Sequence, residues 1–197
     1  MNSASGSATT AADQAKSSAG SLAGSASSAA SDAADAGMSA ASSATALSDA
    51  QIAGITGAAH KGEIEAARMA RKQSKNAKVR AFAAQMIKQH TDAQKAEAAV
   101  ASKAGITPAD SDLSQKLTQG SADTASQLKD LKGKEFDKAY VKAQVDAHTK
   151  VLDTIDNVLV PAAQNPALKA QLQKERPVVA QHLEHAKKLA DSMGVSQ

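Results

Sequence analysis

Residues 82–91 read FAAQMIKQHT, and residues 140–149 read YVKAQVDAHT. Each opens on an aromatic, carries a β-branched residue five positions on (Ile87, Val145) and closes on a His-Thr pair. The chain has two Phe, one Tyr, no Trp and five His, so a repeated aromatic-to-histidine spacing decides how it is read. His90 is three after Ile87 and four after Met86; His148 is three before Val151 and four before Leu152. Separations of three and four put residues on one face of an α-helix. Both histidines therefore lie on apolar helical stripes.

Outward from these words, the periodicity from Leu47 onward is helical, and no segment alternates as a strand does. Ser48 and Asp49 suit the start of a first helix reaching about Ser74, with Ile52, Ile55, Ala59, Ala66 and Ala70 as its stripe. A second runs over 77–104 and stops at Gly105, a residue suited to a left-handed C′ position. Thr107-Pro108 is expected to open a shorter, polar helix over 109–131, ended by Gly133. A fourth helix spans 134–160 up to Pro161. A fifth spans 166–193, with Pro177 expected to kink it. Short turns make the first and last pairs antiparallel hairpins, and the 109–131 helix returns the chain between them as a crossover. A plain up-down array of five helices fits these lengths nearly as well.

The segment before this domain is different in kind. Residues 1–47 are almost entirely Ala, Ser, Gly and Thr, with Asp13, Lys16, Asp32 and Asp35 as the charges. So little apolar surface does not offset the entropy of ordering a backbone, and the segment reads as a disordered tether. The domain is then 48–197.

Composition excludes several chemistries. No cysteine is present, which removes thiolate ligands, disulfides and Cys nucleophiles. The net charge of +3 comes from lysines scattered among acids, and few aromatics offer a stacking platform, so no nucleic-acid partner is expected. No apolar run of membrane-spanning length occurs, and with Met1 leading directly into the polar tail no signal peptide is expected in these residues. No Ser or Cys nucleophile is placed with a base, so no catalytic residue is assigned.

The polar residues on the apolar stripes are the informative ones. His90, His148 and His182 each fall near the middle of a long helix, as does Glu63. A residue at mid-helix sits at mid-bundle whichever way its helix points. Glu63 lies within about 20° of the direction of Ile52, whereas His60 is rotated roughly 80° away, onto the flank. The expected metal ligands are thus Glu63, His90, His148 and His182, a set suited to one Zn²⁺ or Fe²⁺ ion per chain. Glu97, two turns beyond His90, is placed to join or pair with them. A metal-free His–Glu network buried in the core is the competing reading. His185 is expected at the rim.

Four words in order, G62-E-I-E-A-A-R-M-A70, V79-R-A-F-A-A-Q-M-I-K-Q-H-T91, the run from Leu131 through Phe136, Asp137 and Tyr140 to His148, and R176-P-V-V-A-Q-H-L183, resemble the bacterial DUF4142 family. The resemblance covers about 47–193 and implies an all-α, ferritin-like four-helix bundle of unknown function. It also implies a periplasmic or outer-membrane-associated protein, with an envelope or membrane-associated partner; oligomeric state is left open. A lipobox cysteine is absent from the chain. Ferritin-like di-iron centres use Glu-x-x-His, but Ile87, Val145 and Val179 stand three before the histidines here. A single His₃Glu site in metal handling or envelope stress fits this inventory better than a di-iron oxidase. A structural or interaction module is the alternative.

Overall fold

The computed structural model describes residues 47–195, and the tether expected over 1–47 lies, apart from Leu47, outside them. Helix α1 (Asp49–Gln73) starts at a capping box: the Ser48 hydroxyl accepts from the Gln51 N–H, and the Gln51 side chain accepts from the Ser48 N–H. Helix α2 (Ala77–Lys103) is capped by Asn76 and gives way to Gly105 at φ +67°, the left-handed conformation that glycine adopts without a Cβ clash.

Two expected boundaries are corrected. Helix α3 (Asp112–Asp130) does not begin at Pro108, because Ser111 and Ser114 form a reciprocal capping box later in the chain. The residues before it are tied down instead, with the Ala109 N–H donating to the Ala50 carbonyl at 2.9 Å. Gly133 does not terminate α3, which has already stopped at Asp130; at φ +57° it is the first residue of α4 (Gly133–Thr154). The chain continues from α4 through a π-helical turn, Ile155–Leu159, and a last short helical piece, Val160–Ala162. Helix α5 (Pro166–Ser192) is capped by Asn165 and stays helical through Pro177. The described residues are all-helical, with no strand.

Contacts at the helix ends fix the directions. The side chain of Gln73, at the end of α1, donates to the Lys129 carbonyl near the end of α3, so these helices run parallel. Asp49, at the start of α1, accepts from the Gln164 and Asn165 N–H groups that follow α4, so α4 runs antiparallel to α1. Asn76, before α2, meets Met193 just after α5, so α2 and α5 are antiparallel. The molecule is thus two helical hairpins, α1–α2 and α4–α5, with α3 carrying the chain back along α1. Close approach of α3 and the segment leading into it needs glycine on α1: a Cβ at Gly54 would collide with the Ala109 backbone, before α3, and one at Gly62 with the Ser121 side chain on α3.

Two apolar clusters fill the interior. One, toward the α1–α2 turn, contains Ala67, Phe82, Met86, Phe136, Tyr140 and Leu189. The other, toward the opposite end, contains Ile52, Ile55, Ile155, Leu168, Leu172 and Val179. Along α1, the residues between them are those around His60. The paired aromatics of the repeated words sit in the first cluster, with the Phe82 and Tyr140 rings 6.3 Å apart, above the level of the histidines. A polar layer therefore divides the core at mid-height.

Candidate metal centre

Three histidines meet in that layer. His90 on α2, His148 on α4 and His182 on α5 are buried, and one ring nitrogen from each lies within 4.8 Å of the others. Ring centroids are 5.8 Å apart for His90–His148, 5.1 Å for His90–His182 and 5.3 Å for His148–His182. The sequence placed all three at this height, and the structure brings them together.

Each ring is held by its other nitrogen. His148 Nδ1–H donates to the Gln144 carbonyl at 2.9 Å, which leaves the Nε2 lone pair facing inward. His182 Nε2–H donates to Gln89 Oε1 at 2.6 Å, which frees Nδ1. His90 Nδ1 lies 3.0 Å from His60 Nδ1. The remaining atoms, His90 Nε2, His148 Nε2 and His182 Nδ1, are buried with no hydrogen-bond partner. Burying an unpaired polar atom costs free energy, and three converging in one place need a common partner. An oriented imidazole whose second nitrogen is tied to a carbonyl or amide is the arrangement that metal-ligating histidines use.

A second group adjoins the first. His60 Nε2 lies 3.3 Å from Glu97 Oε2 and 3.6 Å from Glu175 Oε2, and these residues form the other buried set able to surround a cation. The sequence expectation for His60 is corrected here: it is 7% exposed, not on the flank. The sequence reading anchors the stripe on Ile52, but a buried line runs Ile52, Thr56, His60, Ile64, in steps of four. Each such step turns about 40° past a full revolution, so the inward face has rotated onto His60 by mid-helix. Glu63 belongs to neither group; it is half-buried, and its Oε2 accepts from the Gln144 amide at 2.8 Å. Glu97 does pair within the layer, with His60. Glu175 was not singled out from sequence, although it stands seven before His182, as Glu97 stands seven after His90. On antiparallel α2 and α5 those spacings bring the two carboxylates level. His185 is exposed, as expected, with Nδ1 3.1 Å from Gln85 Oε1.

The electrostatics separate the histidines into two kinds. Burial penalises the His60 cation, but hydrogen bonds to Glu175 and Glu97 and the charges of both outweigh this and raise its pKa to about 9. Burial lowers His90 to about 2, helped by the charges of His60, His148 and His182. Burial likewise lowers His182 to about 3, with His148 as the largest neighbouring charge. Glu97 is pushed up, chiefly by burial. Burial, and secondarily the charge of Glu63, pushes the Tyr140 hydroxyl well above its ordinary value. His90 and His182 are thus neutral near pH 7, the protonation state a metal ligand requires.

Two openings reach the layer. A cleft of about 250 Å³ between α2 and α5 is lined by His90, His182, Glu175 and, further out, Asp92 and Lys174. A cavity of about 210 Å³ between α1, α3 and α4 reaches His148 and His90 past Glu63. No helix among the described residues is long and apolar enough to cross a membrane.

Residues 34–189 match the family described as "Domain of unknown function (DUF4142)", which spans all five helices down to Leu189. The chain belongs to the DUF4142 family. No curated protein and no solved structure matches it. In this DUF4142 chain the His-Thr pairs of α2 and α4 are the ones that deliver His90 and His148 to the centre.

Proposed function

We propose that this domain binds a divalent transition-metal ion, Zn²⁺ or Fe²⁺, through His90 Nε2, His148 Nε2 and His182 Nδ1, and that it serves in metal handling. The observation that carries this reading is the convergence of three buried, unpartnered imidazole nitrogens, two of them on rings whose opposite N–H groups are bonded to amide oxygens. Imidazole nitrogen suits these ions, and a three-histidine set leaves one coordination position for water or a further ligand. The two hairpins and returning helix support a ferritin-like reading of the fold, and the envelope location implied by the resemblance belongs to the same proposal. Elemental analysis of untagged protein tests it: one ion per chain, lost in the His148→Ala variant, is expected. Metal-free protein after incubation with either ion would contradict it.

A second reading has its own observation. His60 sits between two buried carboxylates, a network that contributes to packing without any ion. Under that reading the domain is a structural or interaction module, and unchanged thermal stability across addition and chelation of metal favours it.

A further inference from the structure

The cavity beneath α3 has a composition that the metal reading does not use. Small side chains make it: Ala59 on α1 and Ala143 and Ala147 on α4 face the space where larger residues would close it. Leu113 and Leu117 of α3 and the π-helical turn at Ile155 and Leu159 supply the rest of its apolar wall. An apolar cavity of roughly 150 Å³ accommodates a benzene ring. At about 210 Å³ this one admits a ring with a short substituent.

The inner end is polar and one-sided. The Gln144 amide N–H group donates to Glu63 Oε2 at 2.8 Å, which orients the side chain and leaves Gln144 Oε1 without a partner. Gln144 is 2% exposed, so that oxygen is an acceptor withdrawn from water. Beside it lies the Glu63 carboxylate, also an acceptor when ionised. At this inner end the wall offers a guest acceptors, so a guest seated there must bring the donor; the lysines of the lining, Lys116 and Lys150, each have an interaction of their own. A carboxylate guest would meet the charge of Glu63 and would lose its hydration against apolar walls. The Gln144 amide already serves Glu63, and the same walls penalise a charged ammonium.

We propose that this cavity is a binding site for a small neutral alcohol or phenol, seated with its ring against Ala143, Ala147 and Leu117 and its hydroxyl donating to Gln144 Oε1. The inference goes beyond the metal reading and does not rest on it, since the site is built from Gln144 and the alanines. The test uses full-length, chelator-treated protein and four probes of one size: phenol, toluene, benzoate and benzylamine, followed by ligand-observed NMR and titration calorimetry. Phenol is expected to bind at least about tenfold more tightly than toluene, the scale of one buried hydrogen bond. Benzoate and benzylamine are expected to bind more weakly than phenol. Ala147→Leu, which fills the cavity with apolar volume, should abolish phenol binding with helicity unchanged. Gln144→Met, which removes the acceptor at similar volume, should bring phenol down to the affinity of toluene. Equal affinity for phenol and toluene, tighter binding of benzylamine, binding unaltered by Ala147→Leu, or no phenol binding at millimolar concentration would each overturn the proposal. Metal content, measured separately, bears on none of these outcomes.

Discussion

The Nδ1 of His60 lies 3.0 Å from the Nδ1 of His90, a separation that holds a single proton between two rings. The remaining protons of the pair sit on the outer Nε2 atoms. With His60 raised to about 9, the pair near pH 7 carries a proton on each Nε2, one directed to Glu97 and Glu175 and one into the three-histidine centre. For His90 to present a lone pair to an ion, that inward proton must leave while His60 keeps its own on the carboxylates. Metal binding is therefore expected to release one proton per ion, with apparent affinity rising about tenfold per pH unit from neutrality and levelling above about pH 9. Calorimetric titration in buffers of different ionisation enthalpy measures the proton directly; heats independent of the buffer would contradict the pairing.

The metal-free protein should be most stable near neutral pH, for two opposed reasons. His90 and His182 have folded pKa values of about 2 and 3, below the ordinary 6.5, so their contribution is present above pH 6.5 and is lost as the pH falls toward those values. His60, raised to about 9, contributes fully below 6.5 and loses that contribution as the pH rises through 9. Urea midpoints of chelated protein from pH 5 to 9.5 should trace a dome. A monotonic rise across the range would remove the buried His60 cation from the account.

Removing His60 should cost more than removing either carboxylate. His60→Ala leaves Glu97 and Glu175 facing each other in the core without a cation, a loss of about 3–5 kcal/mol for an uncompensated buried charge. Glu175→Gln leaves His60 paired to Glu97 and should cost roughly 1–2 kcal/mol. Chemical denaturation of the two variants at pH 7 checks the order.

The glycines of α1 should respond differently to alanine. Nothing lies within 4 Å of a Cβ at Gly57, so Gly57→Ala should stabilise by about 0.5–1 kcal/mol through helix propensity. Gly54→Ala pushes against the Ala109 backbone and should destabilise by about 1–3 kcal/mol. Thermal midpoints of both variants decide whether the segment leading into α3 packs on α1 through this contact.

How far the sequence carried can be seen on single residues. The apolar stripes made His90, His148 and His182 legible, because three-and-four spacing fixes a face and mid-helix position fixes a height. On α1 the stripe is mostly alanine, which marks no face sharply, so anchoring on Ile52 chose Glu63 and put His60 outside. Glu175 carried no local signal, since its role depends on α5 lying antiparallel to α2 at a given height. The start of α3 is not legible in the sequence, because Pro108 is as good a helix opener as Ser111 until Ala109 is bonded to Ala50.

The central claim is that three imidazoles form the ion's protein ligands and that Glu63 stands aside, bonded to Gln144. It is tested most directly by metal stoichiometry after loading and desalting, comparing wild type, His182→Ala and Glu63→Gln. One ion per chain in wild type and Glu63→Gln, with loss in His182→Ala, is the predicted result. Equal metal content in wild type and His182→Ala, or loss of the ion in Glu63→Gln, would contradict it.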